Sequence, residues 1–205
     1  FEEVTHENDY RSNLCQFVNG GYLNLNYKPN DTWDILVGGR VENNINITRY
    51  KEQGDSEFNN LNKNQYFILP SFSVKKSLNT KSNIRFAASK TITRPILIEY
   101  MPITYINPDN ENIIGNKDLK NSENYNLDLK YEIFPTNKEL LSVNLFAKKI
   151  DNAIERGYTA SGNSNGVAIT FFNAENAVLA GAEVEGIMNL SRISESLNKW
   201  SLGAN

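Results

Sequence analysis

The stretch NYNLDLKYEIF, residues Asn124–Phe134, sorts its side chains by parity. Tyr125, Leu127, Leu129, Tyr131 and Ile133 are apolar or aromatic. Asn124, Asn126, Asp128, Lys130 and Glu132 are polar, with charges of both signs. Successive side chains of an extended strand point to opposite faces, so this segment has one greasy face and one wet face. What lies against each face decides the fold.

The same period-two pattern runs outward in both directions, and helical periodicity is nearly absent. Upstream, Ile84, Phe86, Ala88 and Ile92 alternate with Arg85, Ser89 and Thr91. Tyr66, Ile68, Phe72 and Val74 alternate with Ser71, Ser73 and Lys75. Trp33, Ile35, Val37 and Val41 oppose Asp34, Arg40 and Glu42, and Leu23, Leu25 and Tyr27 oppose Asn24, Asn26 and Lys28. Downstream, Leu141, Val143, Leu145 and Ala147 oppose Ser142, Asn144 and Lys148. Ala182, Val184, Gly186 and Met188 oppose Glu183, Glu185 and Asn189, and WSLGAN opens an eighth strand. The pattern fades through NNINITRY. Pro70 lies inside a strand, removes a ladder donor and marks an irregularity there.

Three regularities choose between a soluble sheet and a membrane barrel, because alternation alone fits any antiparallel sheet with one wet face. Connections alternate between short turns (KPND, NTKS, PTNKE, SESLNK) and longer loops at about residues 51–62, 95–122 and 157–166. Outer-membrane barrels have short periplasmic turns and longer external loops. Many alternating segments reach the roughly 9–11 residues that cross a bilayer. Aromatic residues gather beside the short turns (Tyr27, Trp33, Tyr131, Phe134, Trp200) and towards the long loops (Tyr50, Tyr66, Phe67, Tyr125), as two interfacial girdles would. The expectation is an all-β, antiparallel up-and-down transmembrane barrel. Residues 1–205 supply about eight long strands of it as part of a single barrel domain.

Composition excludes several other functions. The net charge is -3, which provides no basic field for nucleic acid. A single cysteine, Cys15, allows neither an intrachain disulfide nor a cysteine zinc site. The single histidine, His6, lies with Glu7 and Asp9 in a polar chain start that reads as solvated rather than metal-binding. With no nucleophile–base pair or metal-ligand spacing, the reading is not an enzyme, and no cofactor or metal is expected. No run of 18 apolar residues forms a transmembrane helix, a test that barrel strands escape. FEEVTHENDY lacks the apolar core of a signal peptide.

The run YFILPSFSVKKSLNTKSNIRFAASKTITRPILIEYMPITYI (66–106), then GNKDLKNSENYNLDLKYEIFP (115–135), resembles the barrel of TonB-dependent outer-membrane receptors of the Bacteroidetes type. The matching positions are Leu69-Pro70-Ser71, Arg94-Pro95, Gly115-Asn116, Leu119, Asn124-Tyr125 and Leu127. NLFAKKIDNAIER and NAENAVLAGAEVEG resemble the strands that follow. Lys117 stands where that family usually has proline, and Asn126 where aspartate is common. The resemblance implies an internal segment of a barrel of about 22 strands with a plugged lumen. It also implies uptake of a scarce nutrient, a siderophore, glycan or peptide, energised through periplasmic TonB. The plug domain and C-terminal strands, absent from this chain, would lie elsewhere. Partners would be outer-membrane lipid, the plug and a surface lipoprotein. The alternative is a non-transporting barrel that acts as a scaffold or assembly partner.

On this reading Arg40, Glu42, Arg85, Asp128, Lys130, Glu132, Glu183 and Glu185 face the lumen or plug, with Lys75 and Lys148 beside them. They line a path, clamp the plug or pair with one another across strands. Tyr100, Met101, Tyr105, Asn107, Asp109 and Asn110, in the long connection, are the ligand-facing candidates. Gly115 is expected to serve a turn with unusual backbone angles.

Overall fold

The computed structural model describes residues 11–51, 57–109, 111–160 and 166–205. His6, Glu7, Asp9 and Asn110 lie outside these residues. The chain forms β1 (Arg11–Tyr27), β2 (Trp33–Lys51), β3 (Asn59–Asn79), β4 (Ser82–Thr93) and a one-turn helix, α1 (Leu97–Tyr100). It continues with β5 (Thr104–Ile106), β6 (Asn112–Ile114), β7 (Ser122–Ile133), β8 (Leu140–Ala160), β9 (Val167–Asn189) and β10 (Ser201–Ala204). Among the described residues these make one open sheet in the order β1-β2-β3-β4-β7-β8-β9-β6-β5, with β10 also on β9. Every long strand pairs antiparallel with its neighbour.

Register carries the parity of Asn124–Phe134 across the whole sheet. Leu129 lies opposite Phe86 and Leu145; Phe86 lies opposite Val74, Val74 opposite Ile35, and Ile35 opposite Tyr27. One face is therefore continuously apolar, and its side chains are exposed: Ile68 70%, Val184 56%, Leu127 49%. A face of this size left open to water would be costly, since each fully buried large apolar side chain contributes about 1.5–3 kcal/mol. A surrounding apolar medium removes that cost. Lys76 stacks over Trp33 at one border of the band (4.7 Å). Lys90 does so over Tyr125 at the other (5.4 Å) while pairing with Glu123 at 2.7 Å.

Side-chain acceptors shape the short turns. Asn30 Oδ1 accepts from the Thr32 backbone and hydroxyl, Asn79 Oδ1 from Lys81 N–H, Thr136 Oγ1 from Lys138 N–H and Asn189 Oδ1 from Ser191 N–H. These local bonds give the chain an alternative to continuing the ladder.

The opposite end departs from expectation. β2 runs through NNINITRY to Lys51, β3 starts at Asn59, and β8 extends to Ala160, so much of what reads as loop is strand. β2, β3, β8 and β9 hold 19, 21, 21 and 23 residues, about twice what a bilayer requires. Beyond the apolar band neither face meets lipid, and nothing there selects for alternation. Two girdle assignments also change. Tyr50 is buried on the polar face, 5% exposed, and Phe67 lies on that face, opposite Glu42 and beneath the Arg94 guanidinium. Pro70 causes no slip against β2, where it pairs with Gly39; instead the ladder from β3 to β4 ends beside it, at Ser71–Ser89.

Candidate functional site

The polar face carries charge in adjacent rows. Lys75, Arg85 and Lys130 lie directly opposite one another on β3, β4 and β7. Three like charges in such a row repel. Carboxylates in the next row offset this: Arg85 Nε meets Glu132 Oε2 at 2.9 Å, and Lys130 Nζ lies 3.7 Å from Glu132 and 3.9 Å from Glu185. Ser142 Oγ donates to Glu185 at 3.5 Å, and Asn144 Nδ2 to Glu183 at 3.4 Å. Asp128 shares this face, opposite Ala87 and Phe146.

A second cluster centres on Glu42, which is buried and accepts from Arg40 Nε at 2.5 Å and from Arg94 Nη2. Arg94 follows the last residue of β4, so this contact draws the start of the long connection across the polar face. The connection stays there. Its α1 turn is closed by the Ile96 N–H on Glu99 Oε2 (2.9 Å), and Asn116 N–H donates to the Glu99 carbonyl (2.7 Å). On one side, Lys63 Nζ of β3 donates to the Lys117 carbonyl at 2.9 Å, and Asn121 Nδ2 donates to Gln65 Oε1 at 3.0 Å. On the other side β6 joins β9 in parallel, Ile113 opposite Ile169, and Asn116 Nδ2 donates to the Phe171 carbonyl at 2.9 Å.

The ligand-facing candidates separate once they are placed. Tyr100 and Met101 form a small core with Tyr50, Leu61 and Ile103 that holds the connection down, and Met101 is 1% exposed. α1 and the residue after it set these two side chains against Tyr50 of β2 and Leu61 of β3 rather than at an open loop surface. Asn107 closes the β5–β6 turn, exchanging bonds of 2.8 Å with the Glu111 side chain and N–H. Tyr105 is half-buried, and burial pushes its hydroxyl pKa up, with Arg156 opposing. Asp109 is exposed at the hairpin tip.

Gly115 acts by proximity rather than by backbone angle. A Cβ there would collide with the Met101 carbonyl oxygen, and the left-handed glycine among the described residues is Gly166. The Gly115-Asn116…Leu119 motif thus seats the connection, with Leu119 buried at 3% exposure.

Between the connection and the polar face lies a cavity of about 350 Å³. β1, β2 and β3 contribute Gln16, Asn46, Lys63 and Gln65, and the connection contributes Arg94, Leu97, Tyr100 and Leu119. Burial pushes the Lys63 ammonium pKa down while Asp118 pulls it back, and its head lies 4.6 Å from the Tyr100 ring. Burial, with Tyr50 and Asp118 adding to it, raises the Tyr100 hydroxyl to about 12. Gln16, Asn46, Lys63 and Gln65 gave no sequence signal of a site beyond sharing the polar parity. Arg94 reads in sequence only as part of the Arg94-Pro95 pair of the resemblance, with no role at a site.

Comparison with known proteins agrees with this architecture. The sequence model of the outer membrane protein beta-barrel family matches residues 3–203. No curated protein matches the chain. Among solved structures, the siderophore receptor PirA from Pseudomonas aeruginosa is similar with a TM-score of 0.61 and 16% identity, over 87% of this chain and 40% of that one. The Serratia marcescens hemophore receptor HasR, solved as a double mutant with its hemophore HasA and heme, gives 0.58 and 10% over 87% and 40%. The ferric-catecholate import receptor Fiu from K12 E. coli gives 0.57 and 13% over 87% and 26%. At these identities the likeness shows a shared fold, and the chain spans two fifths or less of each receptor. With the family match running through nearly the whole sheet, the chain belongs to the outer membrane protein beta-barrel family, a barrel wall of the bacterial outer membrane.

Proposed function

We propose that this chain is part of the barrel of an outer-membrane receptor that takes up a scarce nutrient, a siderophore, glycan or peptide. The apolar face meets lipid and the polar face lines the lumen, as in other membrane barrels. The short turns face the periplasm. The 205 residues belong to one barrel domain of about 22 strands. A plug and the remaining strands come from elsewhere in the full protein, and TonB supplies the energy.

The observation that carries this reading is the course of the long connection. It folds inward onto the polar face and is anchored at β3 and β9, instead of standing clear of the sheet. That puts shaped, chemically varied surface at the outer mouth of the lumen, where a captured nutrient would first arrive. The likeness to receptors for siderophores and a hemophore supports the same reading.

Deletion of the gene in its native host tests the proposal. Growth is compared under limiting iron, glycan and peptide. A defect on one of these, restored by the full-length gene and not by a copy without its plug, supports uptake. Normal growth on all three, with altered envelope assembly, favours a scaffold and contradicts the proposal.

A further inference from the structure

We propose that the cavity under the long connection is a binding subsite for a neutral, polyhydroxylated ligand, of the class of a sugar ring or cyclic polyol. The biological meaning rests on the receptor reading, but binding itself does not.

Unspent hydrogen-bonding capacity is concentrated here. Among the described residues five buried side-chain polar atoms have no partner, and three of them, Asn46 Oδ1, Arg94 Nε and Tyr100 Oη, belong to residues lining this cavity. A fourth, Thr48 Oγ1, lies one same-face position along β2 from Asn46. Buried polar groups are normally paired, so such a cluster marks a place where an additional molecule supplies the partners. Tyr100 is only 6% exposed and its hydroxyl stays protonated in any ordinary buffer, so it is available as a donor.

The character of the free groups selects the ligand. Both cations are already engaged, Arg94 with Glu42 and Lys63 with the Lys117 and Leu119 carbonyls. The Arg94 charge is thus paired with a carboxylate, and the Lys63 ammonium is turned to the connection's own carbonyls with Asp118 acting on its charge, so neither head is directed at a bound carboxylate. What remains is a mixture: an acceptor amide oxygen, a phenolic hydroxyl and one guanidinium N–H. A hydroxyl group both donates and accepts, so a ring bearing several of them satisfies this mixture, which a purely accepting carboxylate does not. Leu97 and Leu119 supply aliphatic surface for the C–H face of such a ring. The volume of about 350 Å³ falls at the small end of ligand pockets, which start near 300 Å³.

Saturation-transfer NMR on the full-length protein tests this, in an amine-oxide detergent that carries no sugar. The probes are methyl α-glucopyranoside, methyl α-mannopyranoside and myo-inositol at millimolar concentration, with acetate as the anionic control. Transfer to at least one neutral probe is expected, with affinity about fivefold lower in Tyr100→Phe, the scale of one lost hydrogen bond. Asn46→Leu provides a second variant, and thermal unfolding of both checks that assembly is intact. Three results would overturn the inference: no transfer to any neutral probe, transfer to acetate alone, or transfer unchanged in Tyr100→Phe. A growth defect specific to a nutrient without hydroxyl groups, together with no probe binding, would remove this subsite and leave the receptor reading standing.

Discussion

At Leu127 and Leu129 the side chains stand on the open apolar face midway between Tyr125 and Tyr131, while Asp128 between them points to the charged face. A cation on the lipid side of a barrel costs about 2–4 kcal/mol near the midplane. Leu129→Arg is therefore expected to reduce assembled barrel sharply, read as the heat-modifiable band on a gel, and Asp128→Asn to leave it nearly unchanged. Equal yields from both variants would refute the face assignment. Gly115 makes a different kind of demand. Gly115→Ala forces backbone apart, because the new methyl would meet the Met101 carbonyl rather than a movable side chain. The expected result is normal assembly with faster protease cleavage within residues 95–121 on intact cells. Cleavage at the wild-type rate would mean that the connection is held by something other than this close approach.

At the scale of elements, the short turns are joined to one another. Glu139, closing the β7–β8 turn, receives Arg192 of the β9–β10 turn through two bonds of 2.6 and 3.0 Å, with Thr136 Oγ1 at 3.2 Å. The Arg192 contact holds the Glu139 carboxyl near 2, well below its usual 4.5. A depressed carboxyl pKa contributes stability above pH 4.5 and loses it as pH falls towards 2. Glu139→Gln should therefore lower the thermal midpoint at pH 7, and the gap to the wild type should narrow by pH 3. A gap independent of pH would sink this account.

These turns were legible in sequence because their signals are local: a proline, an Asn-Asp pair, an Asn or Thr placed to accept from the next N–H. Strand faces were legible for the same reason, since parity needs only neighbours. The overhanging halves of β2, β3 and β8 were not, because no lipid faces them and even the covered face of β2 is polar, with Asn44 and Thr48 buried, so hydrophobic alternation no longer betrays the strand. Burial of Tyr100 and Met101 was hidden in a one-turn helix too short to show a period. The Glu42–Arg94 contact joins residues 52 positions apart, and no local pattern reports it.

At the scale of the whole molecule, the sheet is open among the described residues, with β1 at one end and β9 carrying the short β10 and β6 at the other. Within a bilayer every backbone donor and acceptor must be paired, which a sheet achieves only by closing. The rest of the full-length barrel is expected to complete those edges. Expressed alone, residues 1–205 should then fail to insert into liposomes as a monomer, where the intact protein succeeds. Efficient monomeric insertion of the fragment would argue for a small self-contained barrel instead.

The most direct test places spin labels, one at a time, at residues 124–133 of the full-length protein in its outer membrane, with Cys15 replaced by serine. Collision with dissolved oxygen reports lipid, and collision with a water-soluble nickel chelate reports an aqueous surface. The prediction is oxygen maxima at residues 125, 127, 129 and 131, with nickel maxima at residues 126, 128 and 130. Nickel access at every position, or oxygen maxima at the even ones, would contradict a barrel wall with lipid on its apolar face.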